Sequence, residues 1–254
     1  MNAPVATGLT WQAKVAIAGS ITGTAIFALL HLLMAGPVSP VSEPVSNYAL
    51  TPPGNVLFAL AVLGFASGCA ALSLLPAPGL PRVLLGVTSL ALLVAVMVPT
   101  DSGDGSSLNG QVHRYAAGTA FVVLTLTGAW IWLWGDGGRL VGLVTVAAAV
   151  TLAFSSMNTL FPGVLDGGAW RGIPQRAHLA IHAVLLVVLA LLPRRAPQPR
   201  PATALVRARP GLVATPTPAT IHDGEKLWLT SRGIPGRGAL PSADGLRPRT
   251  LRRQ

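Results

Sequence analysis

Residues 54–75 read GNVLFALAVLGFASGCAALSLL, without a single charged side chain. A helix rises about 1.5 Å per residue, so a run of this length crosses the roughly 30 Å hydrocarbon core of a bilayer. A helix on the surface of a soluble domain would carry polar residues along a whole face. Asn55, Ser67 and Ser73 are too few to make one. The stretch belongs in lipid.

Five more stretches repeat the pattern, with approximate limits 14–35, 82–98, 113–134, 139–157 and 175–193. Pro, Gly, Ser and Asp fill the intervals, as turns require. Composition agrees: 51% of the 254 residues are apolar and 10% charged, against about a quarter charged in soluble proteins. The expectation is an all-α integral membrane protein, a six-transmembrane-helix bundle, with a short leading segment 1–13 and a tail 194–254. The third and fifth spans are short, so they should stand upright or borrow flanking residues. The first run is expected to be retained, because its apolar length of about 20 residues exceeds the roughly 7 to 15 of a signal-peptide core.

Charge is unevenly placed. Residues 1–193 hold six Lys/Arg against five Asp/Glu, and 194–254 hold twelve against three, so the net charge of +10 describes the tail. The tail's Pro, Arg, Ala and Gly vocabulary offers no periodic apolar face, and disorder is expected there. No basic stripe interleaved with aromatics and no recognisable module points to nucleic acid. Membrane lipids are the expected partners, their anionic headgroups attracting the tail; a protein partner or homo-oligomer stays open. Cys69 is the single cysteine, which excludes an intramolecular disulfide, a thiolate cluster and a redox pair.

Orientation follows from Lys and Arg near the span ends. Lys14, Arg82, Arg139, Arg194, Arg195 and Arg200 fall on one side, and Arg114, Arg171 and Arg176 on the other. The excess places both termini in the cytoplasm of a bacterial plasma membrane, with tight inner turns at 76–81 and 135–138. Longer outer loops then cover 36–53, 99–112 and 158–174. Trp130, Trp132 and Trp134 sit at the inner end of the fourth span, where amphipathic rings anchor at headgroup level. Gly19 with Gly23, and Gly64 with Gly68, are spaced by four and give each of two helices a notch for close packing.

Several short strings carry a resemblance. The loop Ser39-Pro-Val-Ser-Glu-Pro-Val-Ser-Asn-Tyr-Ala49, the span end Val98-Pro-Thr-Asp101, the pair Val112-His113 with Ala116, Ala117 and Phe121 behind it, and Gly172-Ile-Pro-Gln-Arg176 occur in one order at one membrane level. Over about residues 14–193 the chain resembles the prokaryotic domain of unknown function 998 family. That resemblance implies a six-helix membrane protein and no particular activity. Relatives often carry a second histidine shortly before the position of His113; Asn109 and Gln111 stand here, against a two-histidine clamp within that loop.

Polar groups gather at the outer mouth. His31 ends the first span, His113 opens the fourth, and His178 and His182 share one face of the sixth. Glu43, Asp101, Asp104 and Asp166 lie in the outer loops with Arg114, Arg171 and Arg176. Ionisable groups at membrane depth are costly and point to function. One reading is a zinc site of His178, His182, His113 and Asp101, with Glu43 or Asp104 as general base for hydrolysis of a lipid ester or amide. The other is structural: histidines bonded to neighbouring helices, and Asp101 paired with Arg114 or Arg176 to hold loops. The expected role is binding of a small ligand, lipid headgroup or partner at a polar outer recess. A hydrolase is the alternative; a small transporter comes third, since no charge sits at mid-span and no broken helix recurs in two halves.

Overall fold

Thr10 starts the first helix by accepting a hydrogen bond from Ala13 N at 3.4 Å, which satisfies one of the unpaired amides of the first turn. A computed structural model of the chain describes residues 8–75, 79–102, 107–135, 137–161, 164 and 169–192. Six long helices emerge: α1 Trp11–Leu33, α2 Gly54–Ser73, α3 Leu80–Met97, α4 Leu108–Trp134, α5 Gly138–Leu160 and α6 Gly172–Leu191. Each is long and apolar enough to cross a membrane. A 3-10 helix, Val45–Leu50, lies between α1 and α2, and no strand occurs among the described residues. The segments 1–7 and 193–254, including the tail expected to be disordered, lie outside the described residues.

Helix ends differ from the hydropathic limits for physical reasons. α4 begins five residues before position 113, because Ser107 caps it through Gly110 N at 3.0 Å. Hydropathy marks where lipid begins, whereas a cap marks where helix begins. α3 opens on Leu80 and Pro81 after Gly79, whose φ of +95° only glycine adopts without strain. α5 extends over 23 residues, three past the hydropathic end.

The helices pack as a ring. Each of α1 to α5 lies against its successor, and α6 returns to pack on α1. Between α1 and α2 the backbones nearly touch. A methyl group on Gly19 would strike Gly64 O, one on Gly23 would come within 2.8 Å of Ala61 O, and one on Gly64 within 2.8 Å of Gly19 O. Gly68 is looser, with Ala16 at ordinary contact distance. Ser89 crosses from α3 to donate to Ala66 O at 2.9 Å. At the far end, the Trp130 and Trp134 rings meet at a tilt, centroids 4.5 Å apart, and the Trp132 indole lies over Gly142 of α5.

Four threonines satisfy their hydroxyls within their own helices. Thr88, Thr125, Thr127 and Thr151 each donate to a carbonyl four residues back, at 2.8 to 2.9 Å. In hydrocarbon this is the cheapest partner available. The axis of the ring holds a void of about 30 Å³ bounded by Phe27, Phe65, Thr88, Leu124, His182 and Leu186.

Candidate functional site

Residues 34–53 form a strap across one end of the ring. Met34, Val38, Val45 and Tyr48 are buried beneath it, which holds the strap down by its apolar side chains. Its polar attachments converge on the start of α6. Gly172 N donates to Val41 O at 2.8 Å, and Val45 N donates to Gln175 Oε1 at 2.8 Å. Gly172 has no room for more: a methyl there would lie 2.5 Å from Pro40 O and 2.7 Å from Glu43 O.

Arg176 is the centre of this arrangement. Its Nε donates to His31 Nε2 at 2.6 Å, Nη1 to Glu43 O at 2.7 Å, and Nη2 to the Tyr48 hydroxyl at 3.2 Å. The guanidinium also sits over the Tyr48 ring, 5.6 Å from its centroid. Arginine can only donate, so His31 Nε2 must accept. The His31 proton is therefore on Nδ1, which bonds Phe27 O. All these acceptors are neutral. The Glu43 carboxylate instead caps its own loop, taking Ser39 N at 2.5 Å and Asn47 Nδ2 at 3.0 Å. A guanidinium has five N–H donors, and described residues engage three of them. Among the described residues, no carboxylate contacts Arg176.

A groove of about 390 Å³ runs along the seam of α1 and α6 below this guanidinium. Phe27, Ala28, Leu32, Phe65, Leu179 and Ala180 line it, and His31 and Arg176 close its end. Phe27, Phe65 and Leu179 also wall the axial void, so these three side chains divide the lateral groove from the centre of the ring.

A second attachment sits at the same end. His113 lies in the second turn of α4, buried, with Nδ1 bonded to Val98 O at 3.0 Å. Asp101 does not pair with Arg114 or Arg176. Its carboxylate accepts from the Ser107 amide and hydroxyl and lies against Gly110, at the N-terminus of α4, where a negative charge meets the helix dipole. Arg114 and Arg171 are exposed. Asp104 and Asp166 lie outside the described residues.

His178 and His182 lie deeper and meet edge to face, with ring centroids 4.1 Å apart and Phe121 edge-on to His178 at 4.9 Å. Both are buried. His182 Nε2 meets Thr125 Oγ1 at 3.0 Å, and His178 Nδ1 meets Thr151 Oγ1 at 2.9 Å. Each threonine spends its own proton on a helix carbonyl, so each accepts from the imidazole. That leaves His178 Nε2 as a buried lone pair without a hydrogen-bond partner. Among the described residues, no three His, Cys, Asp or Glu side chains converge as a metal would need.

Tyr48, Gln175, Thr125 and Thr151 are the contributors that motif reasoning left without a role. Tyr48 and Gln175 stood in the quoted strings, and their spacing from Arg176 is visible only once the strap folds over. The two threonines look like ordinary members of apolar spans. No local signal marks them.

Six apolar helices with a polar strap at one end define a multi-pass α-helical membrane protein. The family described as "Protein of unknown function (DUF998)" matches residues 17–192, and the chain belongs to that family. The strings that carried the resemblance are those that interlock: 39–49 with 172–176, and 98–101 with 107–113. Comparison with curated proteins and with solved structures gives no match.

Proposed function

We propose that this protein binds an anionic lipid headgroup at the strap end, in the outer leaflet of a bacterial plasma membrane, with both termini in the cytoplasm. One observation carries the reading: Arg176 is half-buried and permanently charged, and among the described residues it is held only by neutral acceptors, which take three of its five N–H groups. A cation that no described carboxylate neutralises, at headgroup level, is a ready partner for phosphate or carboxylate. Tyr48 and His31 fix the guanidinium in place, so little ordering cost falls on the ligand. The orientation rests on Lys14, Arg82 and Arg139 marking the opposite end.

The test is thermal unfolding in neutral detergent with short-chain phosphatidylglycerol or phosphatidylcholine of the same chain length. The anionic lipid raises Tm and the zwitterionic one does not; at about 100 times Kd the linkage amounts to about 2.7 kcal/mol. The response disappears in Arg176→Gln and survives in part in Arg176→Lys. Equal stabilisation by both lipids, or an unchanged response in Arg176→Gln, removes the proposal.

A further inference from the structure

We propose that the groove between α1 and α6 seats one acyl chain of a phospholipid drawn sideways from the surrounding bilayer, with its anionic headgroup at Arg176. This rests on the headgroup reading above and adds the lipid's second half. The geometry is that of an amphiphile: a charged end at His31 and Arg176, continuous with an apolar channel. The channel opens toward lipid, because Thr24, Ala28, Leu32 and Ala180 are all exposed along the membrane-crossing part of their helices.

Side-chain size makes the gap. Ala28 and Ala180 face it with a single methyl group each, where larger residues would close the seam. Thr24 turns its hydroxyl back onto Ser20 O at 2.8 Å, which leaves its methyl to the groove. From Thr24 to His31 is seven residues, or about 10 Å of helix. One leaflet is about 15 Å deep, so the groove reaches about two thirds of the way to the midplane. At about 30 Å³ per water-sized group, the 390 Å³ of space takes about a dozen chain carbons. That is the scale of a single acyl chain.

Lipid tails gain nothing hydrophobic by leaving other tails. The chain seat therefore supplies shape and orientation, while the charge at Arg176 supplies the preference for anionic lipid. Phe27, stacked on Phe65 with ring centroids 6.1 Å apart, forms the floor and keeps the chain out of the axial void.

The experiment is native mass spectrometry of the full chain released from membranes in mild detergent, beside Ala28→Trp, Ala180→Trp and their double variant. These substitutions fill the groove and leave Arg176 untouched. The unaltered protein retains one anionic phospholipid per chain, and the double variant loses it while still responding to sn-glycerol 1-phosphate, which has a headgroup and no chain. Retention unchanged in the double variant overturns the chain seat; loss of anion response in the unaltered protein overturns the headgroup reading instead. Should the tryptophans unfold the bundle, the unaltered protein is placed in phosphatidylcholine vesicles containing a phosphatidylglycerol with a mid-chain diazirine. Crosslinks confined to 24–32, Phe65 and 176–180 support the seat. Crosslinks spread evenly over all six helices, or transferred equally well from a free fatty acid probe, refute it.

Discussion

Gly172→Ala measures how tightly the strap is seated on α6. The added methyl would lie 2.5 Å from Pro40 O, 2.7 Å from Glu43 O and 2.5 Å from Arg176 Nη1, whereas ordinary contact begins at about 3.4 Å. Two backbone carbonyls must therefore retreat by about 0.7 to 0.9 Å. That retreat carries the bonds from Gly172 N to Val41 O and from Arg176 Nη1 to Glu43 O, now 2.8 and 2.7 Å, past good geometry. Overpacking costs about 1–3 kcal/mol and each weakened hydrogen bond about 0.5–1.5 kcal/mol. Helix preference pulls the other way, favouring Ala by at most about 1 kcal/mol. The clash wins, by about 2–3 kcal/mol. The cost falls on the strap rather than on the ring, so amide hydrogen exchange over 39–48 should quicken by about 30- to 100-fold, at tenfold per 1.4 kcal/mol. Gly118→Ala is the control, since nothing stands within 4 Å of its added methyl. Strap amides exchanging at the original rate in Gly172→Ala would mean that the strap is not seated on α6.

Three further outcomes are expected. Tyr48→Phe removes one acceptor of Arg176 and keeps the ring beneath it, so it should lower stability by about 0.5–1.5 kcal/mol without releasing the strap; a loss as large as that of Arg176→Gln would shift the weight of the attachment onto the hydroxyl. Ser102→Cys should react with a membrane-impermeant maleimide added outside intact cells, with buried Cys69 serving as the unreactive blank; labelling only after lysis would invert the proposed orientation. Elemental mass spectrometry of protein purified without chelators should find no stoichiometric zinc, in keeping with a binding role; about one zinc per chain, absent from the His178→Ala, His182→Ala double variant, would restore the hydrolase alternative.

The six spans were legible because each is an unbroken apolar run, a local property. Helix beginnings were less so. Asn109 and Gln111 read as loop, yet the first turn of α4 includes them because Ser107 and Asp101 cap it. The contact of His178 with His182 follows from a spacing of four, but their partners Thr125 and Thr151 sit on α4 and α5, and hydropathy does not say which faces meet. Arg176 could be placed at the membrane end and no further. Its attachment to Glu43 O, more than a hundred residues earlier, depends on α6 returning to α1. Opposite charges at one level suggest an arginine partner for Asp101; the N-terminus of α4 at Ser107, six residues on, takes the carboxylate instead.

Closure of the ring has a consequence for how the protein is made. Spans enter the membrane in chain order, and α1 through α5 each find a neighbour as soon as the next one arrives. The free side of α1 must wait for the last span. Arg176 arrives with that span and takes hold of His31, Glu43 and Tyr48, all of them synthesised long before. A nascent chain stopped short of Gly172 would already have five helices in the bilayer and only one wall of the recess: the last helix to be translated supplies both the missing wall and the charge.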